Sequence, residues 1–206
     1  MRIYDISMPL TEGVTVWPGD EAYRFAWSSL KRDGSTVNLG SVTMSVHTGA
    51  HADAPFHADD DGATIDVLSL EPFFGPAIVI DVRGLPVIRK VDLPPDQIAR
   101  APRLLLKTLA WTDRSQFPTT IPVIAEDVPE YLGAYGVRLL GIDLPSVDTI
   151  DSKELPNHHA LNASDIRIIE SVCLDEVPAG VYDLIALPLK LAGSDGSPVR
   201  AILVER

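Results

Sequence analysis

The 206-residue chain contains five histidines, and three of them fall in the stretch HTGAHADAPFH as His47, His51 and His57, with Asp53 between them. The other two are adjacent, His158 and His159, and Glu170 follows twelve residues after His158. Imidazoles and carboxylates are the side chains that ligate divalent metals and move protons near neutral pH. Burying such groups without partners costs about 1–3 kcal/mol for each one, and a shared cation would satisfy them together. Three neutral imidazoles and two carboxylates suit Zn(II), with Mn(II) and Fe(II) as competitors. A two-ion site needs at least one bridging carboxylate, and Asp53 and Glu170 are the available ones. From spacing alone, His57 could be a further ligand or a group that transfers protons.

Two histidines at i and i+4 share one face of a helix, as in zinc-protease helices. Here Gly49 weakens a helix, and Pro55 biases Ala54 away from helical angles. The stretch instead predicts a strand end running into a loop, with His51 and Asp53 on one side of an extended chain. The residues between them (Thr48, Gly49, Ala50, Ala52 and Ala54) are small, so bulky polar groups can converge. Strand-like runs dominate the rest: RIYDISM, VNLGSVTMSV, GPAIVIDV, RLLLKT, RLLGIDL, YDLIALPL and VRAILVE. PPDQIARA and IAEDVPEYLGAYG carry helix signals, the second with Gly136 as its stop. NASDIRIIESV is read as a short helix or a passage into a strand at IRIIE. Strands with interspersed helices predict one mixed α/β domain over residues 1–206, its sheet partly parallel.

Composition limits the partners. The net charge of −12 argues against nucleic acid and anionic membrane surfaces. No apolar run reaches the length of a membrane span. MRIYDISMPL lacks the apolar core of a signal peptide, so the expected compartment is cytoplasmic. The single cysteine, Cys173, excludes an internal disulfide and a thiolate-rich zinc site. It is expected to be a buried small hydrophobe. Asp59–Asp61 is expected to be a solvated loop, and Ser146 and Asp148 in DLPSVD could either support the site's ligands from behind or be turn residues, with the turn favoured.

HTGAHADAPFH, together with HH…E, resembles the bacterial kynurenine formamidases within the wider cyclase-like metal-dependent hydrolases. DISMPLTEGVTVWPGD, LLGIDLPSVD and DEVPAGVYDLIALPLKL…SPVRAIL extend the likeness over essentially the whole chain. The broader family often has Thr where this chain has Ala50, and Ala is similar to the formamidase branch. The resemblance implies two zinc ions: His47, His51 and Asp53 bind one, Asp53 and Glu170 bridge to the second, and His158 completes the second site. It implies His57 as general acid/base and Trp17 as a substrate contact; His159 receives no role. It also implies a β-rich α/β domain, with a barrel-like or swivelling sheet and peripheral helices, in a homodimer.

The implied reaction is hydrolysis of N-formylkynurenine in tryptophan breakdown. Zinc makes hydroxide available near neutral pH, and a second ion can hold an oxyanion. An aryl amine departs poorly unless protonated, which gives His57 its task. Trp17 could wall an aromatic pocket or simply cover the core. One competing function is hydrolysis of a cyclic amide such as isatin. Another is metal binding without turnover, against which His57 and Trp17 both weigh.

Overall fold

A computed structural model describes residues 1–205. Its strands in chain order are β1 (Ile3–Asp5), β2 (Arg24–Ser29), β3 (Leu39–Thr43), β4 (His51–Asp53), β5 (Phe74–Asp81), β6 (Val87–Ile88) and β7 (Arg103–Lys107). They continue with β8 (Val123–Ile124), β9 (Leu139–Ile142), β10 (Arg167–Glu170), β11 (Gly180–Ile185), β12 (Gly196–Pro198) and β13 (Ile202–Glu205). The helices are α1 (Pro95–Ile98), α2 (Val128–Ala134) and α3 (Pro156–Ala163). Nine strands form one sheet in the order β1-β13-β11-β5-β7-β9-β10-β4-β12, curled into a half-barrel. The inner strands β5, β7, β9 and β10 are parallel, and antiparallel pairs extend the sheet on both sides.

The parallel strands read as unbroken apolar runs because both faces are covered. Ile78, Ile80, Leu104, Leu106, Leu140 and Ile142 point into one core with Val128, Leu132 and Leu161 of the helices. The alternate residues Ala77, Val79, Leu105 and Leu139 enter a second core with Tyr182, Leu184 and Leu203. This alternation is the period of two that an extended chain imposes.

One local expectation changes and two others become specific. IRIIE is strand β10, and a helix, α3, lies directly before it and carries both adjacent histidines. VNLGSVTMSV yields β3, which leaves the main sheet to pair with β2 in an exposed two-stranded ribbon. Cys173 is half-buried rather than buried, although its backbone N–H donates to Ile6 O at 2.8 Å. Asp59–Asp61 is exposed as expected.

The site is assembled at the β10–β4–β12 end of the sheet. β4 lies antiparallel between β10 and β12, with Glu170 opposite His51 and Gly196 opposite Asp53. Residues 115 positions or more apart in sequence thus become cross-strand neighbours, from Ile168 opposite Asp53 to Pro198 opposite His51.

Candidate metal centre

His51 and Asp53 leave β4 on the same side, as expected of positions i and i+2. Their side chains are almost fully buried, with His51 Nε2 3.3 Å from Asp53 Oδ1. The His51 Nδ1–H donates to Gly49 O at 2.8 Å. A carbonyl only accepts, so this bond fixes the proton on Nδ1 and leaves Nε2 facing the carboxylates. Gly49 makes the preceding turn possible. Its φ is +67° and a Cβ there would sit 2.7 Å from Leu10 Cδ2, so a side chain would be both strained and crowded. The turn returns His47 to the cluster, with Nδ1 3.0 Å from Asp53 Oδ1 and Nε2 2.8 Å from Asp195 Oδ2.

Glu170 ends β10 beside this group. Its Oε2 lies 3.5 Å from His51 Nε2 and its Oε1 3.5 Å from His158 Nε2. Asp53 divides in the same way, with Oδ1 toward His47 and His51 and Oδ2 3.7 Å from His158 Nε2. Three donor triads result among the described residues: His47–His51–Asp53 and Asp53–His158–Glu170, which share Asp53, and His47–His57–Asp195 beside them. All five residues that the sequence singled out as ligands converge.

The donors fit a cation. Among the described residues, Asp53 Oδ2 and His158 Nε2 are buried side-chain atoms with no hydrogen-bond partner. An acceptor and an aromatic nitrogen left unpaired in the interior are costly unless something binds both. In the protein alone, protons take that part. Burial disfavours a charged His51, yet Asp53 and Glu170 outweigh it and push its pKa up to about 10. His158 is likewise disfavoured by burial but held up to about 10 by Asp148, Asp53 and Glu170, and His47 up to about 9 by Asp195 and Asp53. Burial opposes charge on Asp53, but His51, His158 and His47 hold its carboxyl well below the usual range. Oxygen and nitrogen donors in this mixture suit zinc or a similar first-row divalent ion.

Asp148 is not a plain turn residue. It is buried. Its Oδ2 accepts from the His158 ring Nδ1–H at 2.7 Å and from His158 N–H at 3.1 Å, while Oδ1 accepts from Asn157 N–H at 2.9 Å. It therefore supplies the cap for the first turn of α3, where Leu155 at the N-cap position gives no side-chain bond, and it directs His158 Nε2 toward the carboxylates. The sequence offered this supporting role only as the less favoured alternative, because the partner, His158, lies ten residues on. Ser146 helps to form the turn, its Oγ accepting from Asp148 N–H at 3.0 Å. His159, the next residue of α3, is exposed.

His57 follows β4 in a 3-10 turn over Pro55–His57. It lies outside the two triads that share Asp53. Its Nδ1 is 3.2 Å from Asp195 Oδ2, and its ring centroid is 4.2 Å from that of His47 and 5.6 Å from that of His158. Asp195 was not anticipated. It sits in a Gly-Ser-Asp-Gly loop typical of a solvated turn, and nothing in sequence ties it to residues some 140 positions earlier. His47 and His57 together hold its carboxyl well below the usual range, against partial burial.

These groups open into a cavity of about 440 Å³. Trp17 lines it, its ring 5.0 Å edge-on from Phe117, with Trp111 next to Phe117 at 6.3 Å. Trp17 is partly exposed and so walls the cavity rather than filling the core. Two further lining residues, Leu155 and Ser171, have φ of +44° and +58°. Non-glycine residues rarely adopt these values, and such strain concentrates at functional sites.

The family model described as "Putative cyclase" matches residues 4–149. Kynurenine formamidase of Bacillus cereus is 45% identical over 199 residues, covering 97% of this chain and 95% of the relative. Kynurenine formamidase of Geobacillus thermodenitrificans is 49% identical over 201 residues, with the same coverage. A solved structure described as "predicted metal-dependent hydrolase from Bacillus stearothermophilus" matches with a TM-score of 0.82 at 30% identity, over 98% of this chain and 97% of that one. Isatin hydrolase A from Labrenzia aggregata bound to benzyl benzoate matches with a TM-score of 0.83, over 100% of this chain and 94% of that one. At 24% identity that likeness is one of fold. The chain belongs to the cyclase family, and kynurenine formamidases in that family align with it over nearly their whole length.

Proposed function

We propose that the protein is a kynurenine formamidase that hydrolyses N-formylkynurenine to kynurenine and formate with two zinc ions. The observation that carries this reading is the pair of donor triads sharing Asp53 at the floor of an aromatic-walled cavity. His47, His51 and Asp53 would hold one ion, and Asp53, His158 and Glu170 the other. Zinc bound there supplies an acidified water, with a pKa near 7 instead of about 16, and a Lewis acid for the formyl oxygen.

The chain's own residues do the rest. Trp17 and Phe117 offer apolar ring faces and edges against which an aryl group can pack. Hydrolysis adds water across the formyl C–N bond, so a proton must reach the departing aryl nitrogen. His57 is the cavity-lining imidazole outside the shared-Asp53 triads, and it takes the proton from the attacking water and returns it to that nitrogen. His51 and His158 each have one ring nitrogen bonded away from the centre, which fixes the ring orientations before substrate enters.

Association with a second copy of this chain belongs to the same reading. In the β2–β3 ribbon, Phe25, Trp27 and Val42 share one face and are 39%, 54% and 52% exposed. An apolar face of this kind on a chain of net charge −12 is an association surface, which supports a homodimer.

Opening of a cyclic amide such as isatin is the second reading, since it uses the same water and the same acid. Kynurenine absorbs at longer wavelength than its formyl precursor, so the zinc-loaded protein can be assayed directly. The proposal expects kcat/KM for N-formylkynurenine to exceed that for isatin by at least about tenfold. The reverse order would favour the cyclic substrate, and no turnover of either would leave a metal-binding protein.

A further inference from the structure

Asp195 joins two parts of the site. One oxygen, Oδ2, lies 2.8 Å from His47 Nε2 and 3.2 Å from His57 Nδ1. The placement is built in. Ala54 N–H donates to Asp195 O at 2.9 Å, and the next residue, Gly196, is in register with Asp53. A Cβ on Gly196 would lie 2.8 Å from His47 Cε1 and 3.0 Å from Ala52 O, so only glycine lets this strand press against the His47 ring.

A carboxylate accepts and does not donate, so both imidazole nitrogens facing Oδ2 must carry hydrogen. For His57 that puts the proton on Nδ1 and leaves Nε2 as the only nitrogen able to exchange a proton in the cavity. Free imidazole has no such constraint, and its ring turns. For His47 the same bond leaves Nδ1 directed at Asp53.

We propose that Asp195 is a positioning residue of the reaction, which fixes the tautomer and orientation of His57 and braces His47. This inference rests on the reading of His57 as the proton-transfer group. In this role Asp195, which itself lies on the cavity lining, acts through the two rings. Its bond to His57 lets the imidazole accept a proton on Nε2 while Nδ1–H remains bonded, and give it up again to the aryl nitrogen.

The test uses the full-length zinc-loaded protein and the variants Asp195→Ala and Asp195→Asn. Imidazole nitrogen NMR should find His57 protonated on Nδ1 in the wild type and shifted toward Nε2–H in Asp195→Ala. Asp195→Asn keeps an accepting oxygen and should restore most of the Nδ1–H form. With N-formylkynurenine, Asp195→Ala should lower kcat by about 10–100-fold, part of what a general acid/base contributes, with KM within about twofold. Metal content should stay unchanged. Added to His57→Ala, Asp195→Ala should cause no further loss, because the group it positions has gone. A His57 tautomer unchanged in Asp195→Ala would overturn the proposal, whatever the substrate proves to be. So would an additive loss in the double variant, or loss of a bound ion with Asp195, which would make His47, His57 and Asp195 a ligand set. If the wild type does not turn over N-formylkynurenine, the proposed activity fails, while the NMR comparison still decides the role of Asp195.

Discussion

Replacing Asp148 by Asn tests whether His158 is held for metal binding. The carboxylate receives three N–H groups, from Asn157 N, His158 N and His158 Nδ1 at 2.9, 3.1 and 2.7 Å. Hydrogen bonds to a charged acceptor are worth about 1.5–3 kcal/mol each. In Asp148→Asn one oxygen becomes an NH2, which cannot accept. If that group faces His158, the imidazole must move its proton to Nε2, the nitrogen 3.5 Å from Glu170 and 3.7 Å from Asp53. If it faces Asn157, the helix loses half its cap, at about 0.5–2 kcal/mol. The expected result is a loss of about 2–4 kcal/mol in metal-free stability by urea unfolding, since one to two charge-assisted bonds are lost and the rest weaken. Chelator competition should find zinc held about 10–100-fold more weakly at one of two sites. The stabilisation gained on loading should then shrink by about 1.4–2.7 kcal/mol. A variant with the wild-type unfolding midpoint and zinc affinity within twofold would refute the assignment of Asp148 to His158.

His57→Asn is expected to keep its metal and lose about 10²–10⁴-fold in kcat, whereas His47→Ala and His51→Ala should lose metal as well; zinc-depleted His57→Asn protein rescued by excess zinc would make His57 a ligand. Trp17→Ala should lower kcat/KM by up to about tenfold, the equivalent of an aromatic contact of roughly 0.5–1.5 kcal/mol, with unchanged metal content; unaltered kinetics with a lowered melting temperature would assign the ring to stability instead. Metal loading should release protons. His47, His51 and His158 have pKa values raised to about 9, 10 and 10 in the protein without metal, so near pH 7.5 they are charged and must become neutral to bind an ion. Calorimetry in buffers of different ionisation enthalpy should detect this release, with apparent affinity rising with pH toward about 9–10 and then levelling; heats independent of buffer would contradict it.

The donor cluster at His47, His51 and Asp53 was legible because it is local. His47, His51 and Asp53 occupy one short stretch in which Gly49 and Pro55 rule against a helix, and the i, i+2 relation of an extended chain is the one found in β4. The inner strands were legible for a similar reason, since RLLLK and GPAIVID are apolar at every position that two covered faces require. Helix α3 was not. Its buried residues Asn157, His158 and Leu161 are mostly polar, so no apolar stripe announces it, and its first turn is capped from outside by Asp148. Asp195 escaped, and Asp148 was read first as a turn residue, because their roles are defined only by partners brought near by the fold, over 148 and 10 residues. The ribbon β2–β3 reads as strand from its β-formers, but sequence does not say that it stands outside the main sheet.

The central claim is that two ions would be held side by side, sharing Asp53, with Glu170 completing the second donor set and its Oε2 facing His51 of the first. Elemental analysis of protein purified without chelator, paired with formamidase activity on the same sample, tests it most directly. The account predicts about two zinc equivalents per chain at full activity, and binding weakened at both sites in Glu170→Gln, because a neutral amide is a poor bridge. One equivalent per chain at full activity, or a Glu170→Gln protein that keeps both ions at wild-type affinity, would contradict it.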